Sequence, residues 1–242
     1  MQEPKKSHSG YIYLAALLIL MVLGTSVFIS RSGIFAVQNI IVQGNRQVSE
    51  NEILRLAEYF KGKNLILADQ EELRRKVMLQ PLLSQVDLQK RLPDTLVIQV
   101  TERAAIALVL APKGVIEVDK QGVFLRRLEG WPKTDFPVIN GISVADTAGP
   151  GQIMDDQGLQ LALRVLSEGP SDLTPLLAEL YVDPVQQLRV FLTSGVEVRL
   201  GDAQTAPAKL NALLELLQDD SYLTIEQNVR YIDFTASKPV IG

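Results

Sequence analysis

The sequence has no cysteine and one histidine, His8, in 242 residues. Without thiols there is no disulfide framework, no thiolate nucleophile and no cysteine-based metal site. An oxidising exterior permits disulfides but does not demand them. With His8 the sole imidazole, everything after it lacks a Ser-His-Asp triad, a Cys-His pair and a histidine metal ligand. There is no Ser-x-x-Lys of the penicillin-recognising type and no Walker A loop. Gly149-Pro150-Gly151 opens like a dinucleotide loop, but Met154 stands where the third glycine belongs, so it reads as a turn. Carboxylates are the remaining catalytic stock. Glu71-Glu72, Asp155-Asp156 and Asp219-Asp220 are sequence neighbours, and neighbours on a helix do not face one another. Solvated faces and helix N-termini are the expected places for them.

Charge is also missing from residues 11–29, YIYLAALLILMVLGTSVFI. As a helix this run reaches roughly 28 Å, about the hydrocarbon thickness of a bilayer. Tyr11, Tyr13 and Phe28 stand near its ends, where aromatic rings favour the interface. Lys5 and Lys6 precede it, which predicts a cytoplasmic N-terminus (residues 1–10) and an extracytoplasmic bulk after Arg31. A cleaved signal peptide, cut near Gly24 and Ser26, is the competing reading. Val27, Phe28 and Ile29 extend the run to spanning length and favour an uncleaved anchor. Lys5, Lys6 and Arg31 against Glu3 give residues 1–31 a charge of +2; the whole chain carries −4, leaving −6 for residues 32–242. An acidic bulk without a basic stripe does not suit nucleic acid.

The periodicity then changes repeatedly. Residues 37–43 (VQNIIVQ) read as a strand stopped by Gly44-Asn45. Ser49 and Glu52 form a capping box ahead of Ile53, Leu54, Ala57 and Phe60 on one helical face, with Gly62 at its end. Asp69 and Glu72 repeat the pattern before a helix through Leu73, Val77 and Met78. Residues 83–89 and 95–101 read as strands around Arg91-Leu92-Pro93-Asp94. The order is β-α-α-β-β. Farther on, residues 114–118 and 123–128 flank the hairpin turn Asp119-Lys120-Gln121-Gly122, and residues 188–192 and 196–200 flank Thr193-Ser194-Gly195. Residues 156–167 read as a helix with Leu159, Leu163 and Leu166 on one side. Thr205 can cap another, whose Leu210, Leu213, Leu214 and Leu217 form a stripe. Core packing is the preferred reading of that stripe, a partner face the other.

These residues carry a resemblance. The β-α-α-β-β order, with FAVQNIIVQGNRQVSENEI at its start and LPDTLVIQVTER at its end, resembles a POTRA domain placed just after an anchor. Glu102-Arg103, the Asp119–Gly122 turn, Phe136-Pro137-Val138-Ile139 and the closing VRYIDF at 229–234 are together similar to the FtsQ/DivIB family of bacterial division proteins. Ala104-Ala105 departs from that family by lacking its usual following proline. The resemblance implies an α+β chain: one transmembrane helix (11–29), a POTRA domain (35–103), a second mixed α+β domain rich in antiparallel strands (104–235) and a tail (236–242). It further implies a non-enzymatic inner-membrane scaffold at the division septum. Such a protein links early and late division proteins and binds small coiled-coil partners of the FtsB and FtsL type, with no cofactor, metal or small-molecule substrate.

An exposed sheet edge offers unpaired N–H and C=O groups to a partner strand. The closing strand is the expected edge, because Pro239 in the following tail cannot donate to a ladder. Arg230, Tyr231, Ile232, Asp233 and Phe234 are therefore the candidate partner-binding residues. Only Tyr231 and Asp233 match the family motif, and Thr235-Ala236-Ser237 lacks the large aromatic and basic residues that some members carry. A half-buried strand tyrosine is the alternative for Tyr231, and a turn or ion-pair role for Asp233. The strand at 37–43 is a second candidate edge, and Ile34 and Phe35 are placed to pack at the membrane interface. A membrane-anchored glycan hydrolase using two carboxylates about 5–9.5 Å apart is the alternative function.

Overall fold

The computed structural model describes residues 9–31, 33–131, 134–145, 147–236 and 238–242. Lys5, Lys6, His8 and Ser237 lie outside the described residues. The chain forms two compact units: one runs through Leu79 and resumes over Leu83–Glu102, and the other combines Gln80–Leu82 with Arg103–Gly242.

The first unit begins with helix α1 (Ser9–Arg31). Its stretch Tyr11–Ile29 has a mean hydropathy of 2.6 and no part buried inside the protein, so it is long and apolar enough to cross a membrane. Thr25 is polar but self-satisfied, since its hydroxyl donates to the Met21 carbonyl at 2.9 Å. That back-bond removes the cost of carrying a hydroxyl into an apolar medium.

Strand β1 (Asn39–Gln43), helices α2 (Glu50–Ala57) and α3 (Gln70–Val77), and strands β2 (Leu83–Arg91) and β3 (Thr95–Glu102) complete this unit. The sheet order is β1-β3-β2, with β1 parallel and β2 antiparallel to β3. The predicted helical faces are the ones buried: Ile53, Ala57 and Phe60 from α2 and its following turn, and Leu73 and Val77 from α3. Asp69 caps α3 by accepting from the Glu71 and Glu72 amides. Ser49 sits at the α2 N-cap position but makes no side-chain cap bond.

The second unit contains β4 (Ala105–Ala111), β5 (Gly114–Asp119), β6 (Phe124–Leu128), β7 (Val138–Asn140), α4 (Gln157–Glu168), β8 (Leu177–Val182), β9 (Gln187–Leu192) and β10 (Glu197–Asp202). Helices α5 (Ala206–Leu217) and α6 (Asp220–Leu223) and strands β11 (Tyr231–Asp233) and β12 (Val240–Ile241) follow. The strands form one sheet in the order β12-β11-β10-β9-β8-β7-β4-β5-β6. Most neighbours are antiparallel, but β4–β7, β7–β8 and β10–β11 run parallel. The last two are crossovers through α4 and α5, because a parallel pair needs a long connection.

Both crossover helices bury their apolar sides in one core with the sheet: Leu159, Leu163, Leu210 and Leu213 meet Leu180, Val190, Val198 and Ile232. The leucine stripe of α5 is thus core packing, with Leu214 and Leu217 at its margin. Thr205 makes no side-chain cap bond; its hydroxyl donates instead to the Asp202 carbonyl.

Candidate partner-binding edge

One face of the nine-stranded sheet is taken by α4 and α5. Along β8 to β11 the alternation of strand side chains sends the remaining residues to the other face. Cross-strand register aligns Tyr181 with Arg189, Arg189 with Arg199, Arg199 with Asp233, and Glu197 with Tyr231. These groups pair laterally. Arg199 Nε lies 3.2 Å from Glu197 Oε1, and its Nη1 lies 3.7 Å from Asp233 Oδ2. Arg189 Nη1 lies 3.7 Å from the same Glu197 oxygen. Each guanidinium also covers an aromatic ring, Arg199 at 5.0 Å from the Tyr231 centroid and Arg189 at 4.8 Å from that of Tyr181. The Glu197 hydrogen bond raises the Arg199 proton affinity.

The five candidate residues divide by this alternation. Ile232 (0% exposed) and Phe234 (6%) belong to the core and are not available to a partner. Tyr231 and Asp233 are half-buried on the open face, and Arg230 is exposed beside them. Asp233 has a local task. Its Oδ1 accepts from the Thr235 hydroxyl at 2.6 Å and the Thr235 amide at 2.8 Å. Those two bonds lower its pKa, with the Arg199 charge adding to them. Asp233 thereby shapes the turn that brings the chain back.

That return corrects the expected edge. Strand β11 is not the end of the sheet: β12 pairs with it antiparallel, Ile232 opposite Ile241 and Asp233 opposite Val240. Pro239 stands immediately before β12, where no ladder donor is required, so it does not stop pairing. The tail expected at 236–242 therefore contributes a strand. Gly242 and Tyr231 exchange both backbone bonds, N–H to O=C, at 3.1 and 3.0 Å. In an antiparallel pair such positions alternate with non-bonded ones. Ile241 is the non-bonded position, so its own N–H and C=O face away from β11 toward the open edge. Val240 and Ile241 are 48% and 37% exposed.

Glu102 and Arg103 are adjacent in sequence but serve different units. Glu102 closes a loop of the first by accepting from the Arg46, Gln47 and Val48 amides at 2.7–3.0 Å. Burial pushes its pKa up, but the three amide donors together outweigh it and the net displacement is downward. Arg103 begins the return into the second unit and reaches Asp119 Oδ2 at 2.6 Å. Asp119 Oδ1 accepts from the Gln121 and Val123 amides, which fixes the hairpin turn ending at Gly122. Gly122 has a φ of +77°, a left-handed conformation that disfavours any side chain.

Among the described residues, the carboxylates with displaced proton affinities, Glu102, Asp219 and Asp233, are all lowered. A general acid needs the opposite displacement. An open groove of about 790 Å³ beside α4 does hold Asp155 and Glu168. They flank opposite ends of a twelve-residue helix, roughly 17 Å apart by helical rise and well beyond glycosidase spacing. The hydrolase alternative draws no support from this arrangement.

A family model described as POTRA domain, FtsQ-type, matches residues 35–103. A second, described as cell division protein FtsQ/DivIB, C-terminal, matches residues 107–234. A protein named cell division protein FtsQ from Syntrophotalea carbinolica is 33% identical over 111 residues, 46% of this chain and 39% of its own. The protein of that name from Myxococcus fulvus is 28% identical over 175 residues, 71% of this chain and 60% of its own. That from Streptomyces collinus is 26% identical over 214 residues, 86% and 80% of the two chains. The chain spans less than two thirds of the length of the first two. With the second family model alone covering more than half of its residues, the chain belongs to the FtsQ/DivIB family of cell division proteins.

Proposed function

We propose that this chain is a non-enzymatic, single-pass scaffold of the bacterial division machinery, placed at the septum in the cytoplasmic membrane. Its N-terminus faces the cytoplasm and both folded units lie outside, following the basic residues ahead of the apolar run. Residues 35–103 and the strand-rich region from 104 act as two binding modules that link early and late division proteins. Partners are small coiled-coil membrane proteins of the FtsB and FtsL type. Through them the chain coordinates septal wall synthesis.

The observation that carries this reading is the open edge at β12. Ile241 points its N–H and C=O outward, and the neighbouring open face offers Tyr231 beneath Arg199. A partner's extended segment adds there as a tenth strand, and its side chains lie over the Tyr231–Arg199 surface. Tethering in the same membrane raises the effective concentration of a weak partner. Arg230, Tyr231 and Asp233 remain candidate contacts, whereas Ile232 and Phe234 support the strand from inside. Edge β1 of the first unit, with Ile41 38% exposed, is a second surface of the same kind.

Photoreactive residues placed along 230–236, 239–242 and 39–43 in cells test both edges. Crosslinks to small coiled-coil division proteins from 239–242 are expected. Crosslinks confined to 39–43 would move the function to the first unit.

A further inference from the structure

Three segments of the first unit meet at the end where α1 leaves it. The chain after α1 passes residues 33–37 and pairs with 63–65 through an isolated Ala36–Asn64 bridge. The Leu65 amide donates to the Phe35 carbonyl at 2.7 Å, and the Val37 amide to the Lys63 carbonyl at 2.9 Å. Asn64 is central. Its Nδ2 donates to the carbonyl of Ile29, the last residue of the apolar run. Its Oδ1 accepts from the Ile66 and Leu67 amides at 2.9 and 3.3 Å. One side chain thus ties a tight turn to the exit of α1.

The β2–β3 hairpin tip joins this turn. Lys90 Nζ donates to the Ile66 carbonyl at 2.9 Å and the Ala68 carbonyl at 3.3 Å. The Asp94 carbonyl accepts from the Gln38 amide at 2.9 Å. Large aliphatic side chains are left in the open on all three segments: Ile34 (56% exposed), Ile66 (37%), Leu67 (61%) and Leu92 (63%). Leu92 and Leu67 stand on turns, where folding within the unit does not require an apolar residue. Exposed Lys61 and Arg91 flank them on the same segments.

From this juxtaposition we infer that the first unit seats on the bilayer leaflet that α1 exits, inserting Leu67, Leu92, Ile66 and Ile34 at the headgroup–acyl boundary. The inference rests on reading α1 as a membrane span, but not on which side of the membrane the span exits. The occupant of the patch follows from continuity with that span: the hydrogen bond from Asn64 to Ile29 holds the patch where the apolar helix ends. Apolar side chains at that boundary are buried to a depth of roughly 5–10 Å, and Lys61 and Arg91 meet lipid phosphates above them. The seat fixes the orientation of the first unit and so presents its β1 edge at a set height above the membrane.

The absence of native cysteine makes site-specific spin labelling of the full chain direct. Single substitutions Leu18→Cys, Leu67→Cys, Leu92→Cys and Leu79→Cys are labelled in nanodiscs of phosphatidylcholine and phosphatidylglycerol. Leu79 is the control: it is 72% exposed and lies at the opposite end of the unit, ahead of the start of β2. At Leu67 and Leu92, nitroxide collisions with a water-soluble nickel complex are expected to fall at least about fivefold below those at Leu79, with oxygen collisions raised, as for Leu18. A bilayer signature at Leu18 with aqueous values at Leu67 and Leu92 overturns the seat and leaves the anchor standing. Aqueous values at Leu18 as well overturn both. For a check without substitution, a paramagnetic headgroup lipid should broaden the wild-type amides of residues 66, 67 and 92 and spare residue 79; equal broadening at all four overturns the seat.

Discussion

The two units present sheet edges of different construction. In the first, β1 is a five-residue strand in parallel register with β3 over its whole length. In the second, β12 is a two-residue strand opposite β11, with its residues 48% and 37% exposed. A long edge is a standing template and has to be managed; a short one limits unspecific pairing. The second unit ends its sheet in a short strand, and the Arg199–Tyr231–Asp233 cluster lies on the open face beside it.

Asp119→Ala should have the largest effect and should break the comparison on one side only. It leaves Arg103 and two amides without their buried carboxylate, a cost of about 3–5 kcal/mol. Hydrogen exchange should accelerate throughout residues 80–82 and 103–242 and stay unchanged in residues 37–79 and 83–102. Ile232→Ala removes a fully buried side chain behind the candidate edge and should cost about 2–5 kcal/mol in denaturant unfolding. Its loss of partner binding should be regained on cooling or with a stabilising osmolyte, because the outward-facing groups are untouched.

Glu102→Gln should act on the first unit alone, by about 1–2 kcal/mol, the scale of a lost carboxylate cap. Because the folded pKa of Glu102 is lowered, its contribution is complete above the ordinary value of 4.5 and fades as the pH falls through the lower folded value. The melting temperature of the first unit should therefore drop more steeply with acid in the wild type than in Glu102→Gln. The smallest effect on stability sharpens the contrast most. Ile241→Pro removes one outward N–H that takes no part in the β11–β12 ladder, so unfolding should shift by less than about 0.5 kcal/mol. Partner capture should nonetheless fall at least tenfold in a titration with an FtsB-type peptide. Capture that survives Ile241→Pro but fails in Ile41→Pro would transfer the binding role to β1.

Local chemistry made much of the fold legible. The buried positions Ile53, Ala57, Leu73 and Val77 follow from 3.6-residue spacing, and the Asp119–Gly122 turn follows from a carboxylate and a glycine at fixed offsets. Strand β4 carries no readable pattern because AIALVLA does not alternate: it lies between antiparallel β5 and parallel β7, and Ala107, Leu108 and Val109 are all buried. A short apolar run buried on both faces carries no period. Strand β8 was hidden by an irregular register between Leu177 and Glu179, which interrupts its alternation. Of the candidate site, the alternation of VRYIDF already separates Ile232 and Phe234 from Tyr231 and Asp233. What it does not contain is which set faces the helices.

The sequence by itself determined the apolar span, the absence of thiol and imidazole chemistry, the two-part organisation and the family motifs. Each of these is a property of composition or of residues a few positions apart. Only the tertiary structure decided which strand ends the sheet. Val240 and Ile241 are β-branched but only two residues, too short a run to read as a strand; they pair because β11 offers a free ladder, closed by the Tyr231–Gly242 backbone bonds. The same holds beside the end of α1, where the segments that carry Ile34, Leu67 and Leu92, far apart in the chain, are held together by the side-chain bonds of Asn64 and Lys90 and by the Asp94 carbonyl. Non-local hydrogen bonds made those choices, and they exist only once the chain has closed on itself.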